Sequence, residues 1–143
     1  MKYRIRKMTA RDYDNVVSLW RSIPGIGLDE DSDSRAGLSR YLKRNPGLSF
    51  VACDKDKIVG AVLSGHDGRR GYLHHLAVAP AHRKVGIGKG LVARCLRALA
   101  MRNIPKCNIF LLQTNASGGA FWQHHGWKPR HDLVVFQKRI KDC

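Results

Sequence analysis

Hydrophobic and polar positions change their period several times along this chain, and each change marks an element. Residues 3–7, Tyr3-Arg4-Ile5-Arg6-Lys7, alternate charged with apolar side chains and predict a short strand. Thr9-Ala10-Arg11-Asp12 fits a capping box, and Tyr13, Val16, Val17 and Trp20 then recur at helical spacing, which carries a helix to about Arg21. Pro24-Gly25-Ile26-Gly27 breaks it. After an acid-rich loop, Ser34 is placed to cap a second helix bearing Leu38, Tyr41 and Leu42, which Asn45-Pro46-Gly47 ends.

A β-rich block follows. Leu48–Cys53 and Ile58–Ser64 read as strands joined by the polar turn Asp54-Lys55-Asp56-Lys57. Asp67-Gly68-Arg69-Arg70 turns into a third strand, Tyr72–Val78, and the three predict an antiparallel meander. The second half alternates. A glycine-rich turn at 86–90 opens a helix to about Arg102, whose stripe is Ile87, Leu91, Cys95 and Leu99, flanked by Val92 and Leu96. Lys106–Gln113 reads as a buried strand, Ala116–His124 as a short helix ended by Gly126, and Val134–Ile140 as a final strand at a sheet edge. The order β-α-α-β-β-β-α-β-α-β predicts an α/β fold with a mixed sheet. No repeat or low-complexity tract interrupts it, so residues 1–143 read as one domain.

Size and composition agree. A chain of 143 residues has room for one core, and 43% hydrophobic residues are ordinary for a globular protein and too many for a disordered one. The apolar runs fall short of a membrane span, and the first residues lack the apolar region of a signal peptide, so the expectation is a cytoplasmic protein without a membrane partner. Cys53, Cys95, Cys107 and Cys143 form no CxxC and no dense framework; the first three read as small core or edge residues, Cys143 as a tail residue.

Charge changes the picture more. Lys and Arg number 26 against 11 Asp and Glu, a net charge of +15. Such a field attracts anions, whether nucleic acid, a ribosome, an acidic protein or a polyanionic cofactor; otherwise it is a solvated surface. The cations are spread along the chain with no basic arm, which weakens the nucleic-acid reading. Asp29, Glu30, Asp31 and Asp33 crowd four acids into five positions. They either guide a cationic substrate or belong to a polar loop that caps the next helix.

One segment carries specific chemistry. In Val78-Ala79-Pro80-Ala81-His82-Arg83-Lys84-Val85-Gly86-Ile87-Gly88-Lys89-Gly90 a strand ends, a tight turn follows and a long amphipathic helix begins. First-turn amides of a helix have no internal partners and carry the positive end of its dipole. Glycines let a phosphate approach them, and Arg83, Lys84 and Lys89 add full charges, which makes a place for a pyrophosphate. The dinucleotide fingerprint fails because Leu91 replaces its third glycine, and a P-loop fails because Gly88-Lys89 is followed by Gly90.

Arg83-x-x-Gly86-x-Gly88 resembles the R/Q-x-x-G-x-G/A signature of the GNAT N-acetyltransferase superfamily. Leu76-Ala77-Val78-Ala79-Pro80 looks like that family's strand before the turn. Asn115, followed by Phe121-Trp122-Gln123-His124-His125-Gly126-Trp127, looks like its later segment. The resemblance covers nearly the whole chain and implies a single-domain GNAT-like fold, with a mixed, mostly antiparallel central sheet flanked by about four helices. It implies acetyl-CoA as co-substrate, an amine acceptor, and direct transfer in a ternary complex. It places the pyrophosphate on the backbone of Arg83, Lys84, Val85, Gly86, Ile87 and Gly88, with Lys89 also among the cofactor-binding residues. The pantetheine arm then runs beside Leu76, Ala77 and Val78, in a splay between that strand and the next, with Asn115 against the same arm.

Two departures bear on proton transfer. The family's tyrosine, often the acid for the leaving thiolate, is here Trp122, an indole that cannot donate a proton and reads as a packing wall beside the pantetheine. The usual glutamate on the strand before the turn is absent, since Glu30 is the only glutamate in the chain. That strand reads Tyr72-Leu73-His74-His75-Leu76-Ala77-Val78, and strict alternation puts Tyr72, His74 and Leu76 on one face and Leu73, His75 and Ala77 on the other. Arylalkylamine N-acetyltransferases carry histidines at the positions matching Tyr72 and His74. By that likeness His74 is the candidate base, directly or through water, and Tyr72 a candidate proton partner; alternatively both histidines simply hydrogen-bond in the sheet. His124-His125 has no third ligand at useful spacing, so no metal is expected. The competing reading is a non-catalytic acyl-CoA-binding or nucleic-acid-binding module. The acceptor itself stays open among a small amine, an amino-acid derivative and a protein N-terminus or lysine.

Overall fold

The computed structural model describes residues 2–141; Met1 and the tail residue Cys143 lie outside the described residues. Strands β1 (Arg4–Lys7), β2 (Phe50–Asp54), β3 (Lys57–His66), β4 (Gly71–Val78) and β5 (Cys107–Ile109) form one sheet in sequence order. The first four are antiparallel, and β5 runs parallel to β4. Helices α1 (Tyr13–Ser22) and α2 (Arg35–Arg44) cover one face, while α3 (Ile87–Ala100) and α4 (Ala116–His124) cover the other.

Local chemistry explains most of these boundaries. The Asp12 carboxylate accepts the Thr9 N–H at 2.9 Å and takes a two-pronged bond from the Arg6 guanidinium, which ties the start of α1 to β1. Ser34 caps α2 as expected, its hydroxyl accepting the Gly37 N–H at 3.0 Å. On the α1 side the core is built from Val16, Val17, Trp20 and Leu38 against Val51, Ala61 and Ala77. On the α3 side Ile87, Leu91, Cys95 and Leu99 pack on Phe50, Val59 and Leu73, and each such burial contributes about 1.5–3 kcal/mol. Leu96, read as a flank of that stripe, is more than a third exposed. The close seating of α3 needs Gly60 on β3, where an added Cβ would stand 3.0 Å from Ile87 and 3.1 Å from Leu91.

Three expectations fail, each for a non-local reason. Strict alternation along β4 breaks at a bulge. The register with β3 steps from Ala61↔Ala77 to Leu63↔His74, so Val62 faces both His75 and Leu76. His75 takes a left-handed φ of 56°, a conformation that costs a non-glycine residue about 1–3 kcal/mol. The extra residue puts Leu73 and Leu76 on the α3 face, and His74 and His75 both on the α1–α2 face. Next, the strand expected over Lys106–Gln113 pairs with β4 only at Cys107–Ile109. Past Leu73 the two chains part, and Phe110, Leu111 and Leu112 stand exposed. Finally, Val134–Ile140 forms no strand among the described residues. Its β-prone side chains find no ladder partner, and Val134, Phe136 and Ile140 are 81%, 93% and 96% exposed.

Candidate active site

The parting of β4 from β5 opens a cavity of about 1060 Å³, which runs from Leu76 and Val78 past Phe110 and Asn115 to the N-terminus of α3. The turn at that end is shaped for a polyanion. Lys84 (φ 65°) and Gly86 (φ 91°) are left-handed, a conformation open to glycine but strained for Lys84. The first bond of α3 runs from the Gly90 N–H to the Gly86 carbonyl at 2.9 Å, so the amides of Ile87, Gly88 and Lys89 lie ahead of it. The helix has no side-chain cap and no acid in its first turn, so no group of this kind competes for the dipole's positive end. Arg83 folds back to donate its Nε–H to the Val78 carbonyl at 3.1 Å, and Arg83, Lys84 and Lys89 are exposed around the turn. Gly88 sits against Phe121, whose ring would lie 3.3 Å from an added Cβ. A pyrophosphate fits these residues without displacing a protein group.

The opposite wall is irregular and mixes both charges, with Asp29, Glu30, Asp31 and Asp33 among Arg40, Arg44, Lys138, Arg139 and Lys141. A second open cavity, of about 1460 Å³, lies among the α1–α2 loop, α2 and the C-terminal segment; Asp31, Asp33, Tyr41 and Arg139 are among its lining. Gly27, His74 and His75 line both cavities, so the two meet at the histidine pair. The His74 ring lies edge-on to Tyr41 at 6.2 Å and stacks with Tyr72 and Phe110 at 6.4 and 6.1 Å. Its nitrogens make no hydrogen bond among the described residues. Burial, reinforced by His75 and opposed by Asp33, holds its pKa below 6.5, so the ring is neutral at pH 7 and has a free lone pair.

His75 is tied down instead. Its Nε2 lies 3.0 and 3.1 Å from the two Asp33 carboxylate oxygens, and Trp20 of α1 meets its ring edge-on at 5.0 Å. Asp33 also accepts the Asp29 N–H at 2.8 Å, and the Tyr13 hydroxyl donates to the Asp33 carbonyl at 2.9 Å. Burial alone would push the Asp33 carboxyl up; the bond from His75 and the Asp29 amide outweigh it, and its pKa lies below the ordinary 3.8. Asp33 is therefore a carboxylate at neutral pH.

The acetyltransferase (GNAT) family model matches residues 13–127, from the first residue of α1 to Trp127 beyond α4. This chain belongs to the GNAT acetyltransferase family. Its relatives include an acetyltransferase of Photorhabdus laumondii, 30% identical over 95% of this chain and 94% of the relative. Another, from Sodalis glossinidius, is 27% identical over the same shares. Among solved structures, the PaiA N-acetyltransferase of Thermoplasma acidophilum, in complex with coenzyme A, aligns with a TM-score of 0.78 at 19% identity over 90% of this chain and 91% of that one. AAC(6')-Iy, bound to a bisubstrate analogue, aligns at 0.76 and 19% identity over 97% and 99%. These structures share the α/β fold described above. The protein is an acetyl-CoA-dependent N-acetyltransferase.

Within this GNAT site the residues singled out in the sequence divide unevenly. Leu76, Val78, Arg83, Lys84, Gly86, Gly88, Lys89, Asn115 and Trp122 all line the donor-side cavity. Ala77 and Ile87 line it as well, with their side chains packed in the core, while Val85 lies outside the lining. Asn115 caps α4, its Oδ1 accepting the Gly118 N–H at 2.9 Å. Trp122 is 8% exposed and packs edge-on to Trp127 at 4.8 Å. Tyr72 lines neither cavity; it stands behind His74, stacked on Phe110 at 5.9 Å. Sequence reasoning missed Phe110 and the Asp33 contact to His75. Phe110 looked like one more buried strand residue. Asp33 and His75 lie 42 positions apart, with no spacing to signal the pair.

Proposed function

We propose that this protein moves the acetyl group of acetyl-CoA directly onto a primary amine, with both substrates bound at once, and that the amine enters through the cavity beside the α1–α2 loop. The observation that carries this reading is the meeting of two cavities at His74 and His75. Bound at the donor end, acetyl-CoA supplies a thioester carbonyl open to attack. The turn at 83–89 holds its phosphates through backbone amides and cations, and Leu76, Val78 and Asn115 wall the arm. His74, neutral and desolvated, accepts a proton from the amine nitrogen directly or through one water as the C–N bond forms. Tyr72 and Phe110 position that ring by stacking. Trp122 is a packing wall, so the thiolate takes its proton from another group or from solvent. No nucleophilic cysteine is needed: burial pushes the Cys95 and Cys107 thiols up to about 12.

The Asp33 carboxylate beside His75 favours cationic amines, such as alkylamines, amino-acid derivatives or basic peptide N-termini. Thiol release from acetyl-CoA, measured over a panel of such amines, tests the reading. Turnover is the expected result. Coenzyme A binding without turnover would place the chain among non-catalytic acyl-CoA-binding modules.

A further inference from the structure

An alkylammonium that becomes an amide loses two protons from nitrogen. One must leave before attack, to free the lone pair, and the other as the C–N bond forms. One then reaches the departing thiolate and one reaches solvent. A single neutral histidine can accept one of them at a time. The β4 bulge turns a second imidazole to the same face, held at 3.0 Å by a carboxylate that is itself 9% exposed.

We propose that His75, oriented by Asp33, is a second catalytic base of this site and takes the first proton, from the incoming ammonium. This assignment rests on the acetyl-transfer reading above. With Nε2–H donated to Asp33, His75 presents a bare Nδ1. The ammonium N–H bond breaks toward Nδ1, and the imidazolium so formed is neutralised by the Asp33 carboxylate. The freed lone pair attacks the thioester carbonyl, the C–S bond breaks, and the second N–H proton passes to His74. Because the protonated pair is neutral overall, it does not forbid a proton on His74. His75 then returns its proton to water through this second cavity. The groups facing the His75 ring are Asp33 from the loop, Trp20 from α1 and His74 from its own strand. Leu63 of β3, Tyr41, Arg40 and Arg44 of α2, Asp29, Glu30 and Asp31 of the loop, and Lys138, Arg139 and Lys141 of the C-terminal segment line the same cavity. Asp33 is the positioning residue.

Two amines separate proton removal from mere architecture: 1,4-diaminobutane, an ammonium at pH 7, and 2,2,2-trifluoroethylamine, already neutral there. In Asp33→Asn and His75→Gln, the ratio of kcat/KM for the first to that for the second falls about 10²-fold, while coenzyme A affinity by calorimetry matches the parent. An equal loss on both amines, with a lower Tm, makes the pair a structural clamp and overturns the proposal. Nitrogen-15 NMR of the coenzyme A complex decides it without turnover. The Nε2–H tautomer at His75 is expected, and Nδ1–H overturns it. Absence of thiol release with every amine, alongside the expected tautomer, removes the acetyl-transfer reading and this role with it.

Discussion

The two walls of the site are made by opposite strategies. The donor wall is local: one run from Leu76 to Lys89 supplies the strand end, the left-handed glycine, the bare helix N-terminus and three cations. The acceptor wall is assembled from afar. Asp33 reaches His75 across 42 positions, and Arg139 of the C-terminal segment reaches Asp31 at 2.8 Å across 108. The first wall offers mainly backbone amides, which few side-chain substitutions reach. The second wall depends on side-chain pairs, Asp33 with His75 and Asp31 with Arg139.

The junction should be the most sensitive point. His74→Ala is expected to lower kcat/KM about 10²–10⁴-fold and to remove an ionisation from the pH profile. In the parent enzyme that limb rises with pH and lies below 6.5, since burial lowers the pKa of His74. An unchanged profile in the variant would move base catalysis away from His74.

On the donor wall, Arg83→Ala combined with Gly86→Val is expected to weaken coenzyme A binding about 10²-fold or more. A β-branched residue at φ 91° is strained by about 1–3 kcal/mol, and a cation is lost. Calorimetry measures the affinity, and circular dichroism checks that the fold survives.

The same histidine carries a stability signature. Its folded pKa is depressed, so the unfolded chain binds the proton more readily. Stability is then full above 6.5 and declines as pH falls through 6.5 toward the folded value. Replacing His74 with Phe should flatten that decline, visible as a smaller loss of Tm between pH 7 and pH 5.

The acidic loop should give the smallest effect. Asp29 already bonds Ser32, Asp31 holds Arg139 and Asp33 holds His75, which leaves Glu30 alone without such a partner among the described residues. Neutralising Asp29, Glu30 and Asp31 is expected to raise KM for a cationic amine a few-fold at low salt and less at high salt. A loss independent of ionic strength would make the loop purely structural.

The same contrast explains what the sequence made legible. The meander of β2, β3 and β4, the cap at Ser34 and the glycine-rich turn that opens α3 were readable because each is written in neighbouring residues. The bulge was not, because it depends on how Val62 of β3 lies opposite His75 and Leu76. Alternation therefore placed His75 on the wrong face from Tyr72 and His74. Val134–Ile140 misled for the same reason: strand propensity was present and an open ladder partner was not. Trp122 was readable as a departure from the family pattern, but its packing against Trp127 was not.

The parting of β4 and β5 also has a colloidal consequence. Apart from Val85, Leu96 and Met101, every large apolar side chain standing in water among the described residues falls in two segments, Phe110–Leu112 and Leu133–Ile140. What keeps copies of this molecule apart is then chiefly its charge of +15. At about 1 M salt the Debye length shrinks to about 3 Å and that repulsion vanishes, while apolar attraction remains. Solubility should accordingly fall as salt is added, with these two segments as the adhesive surface.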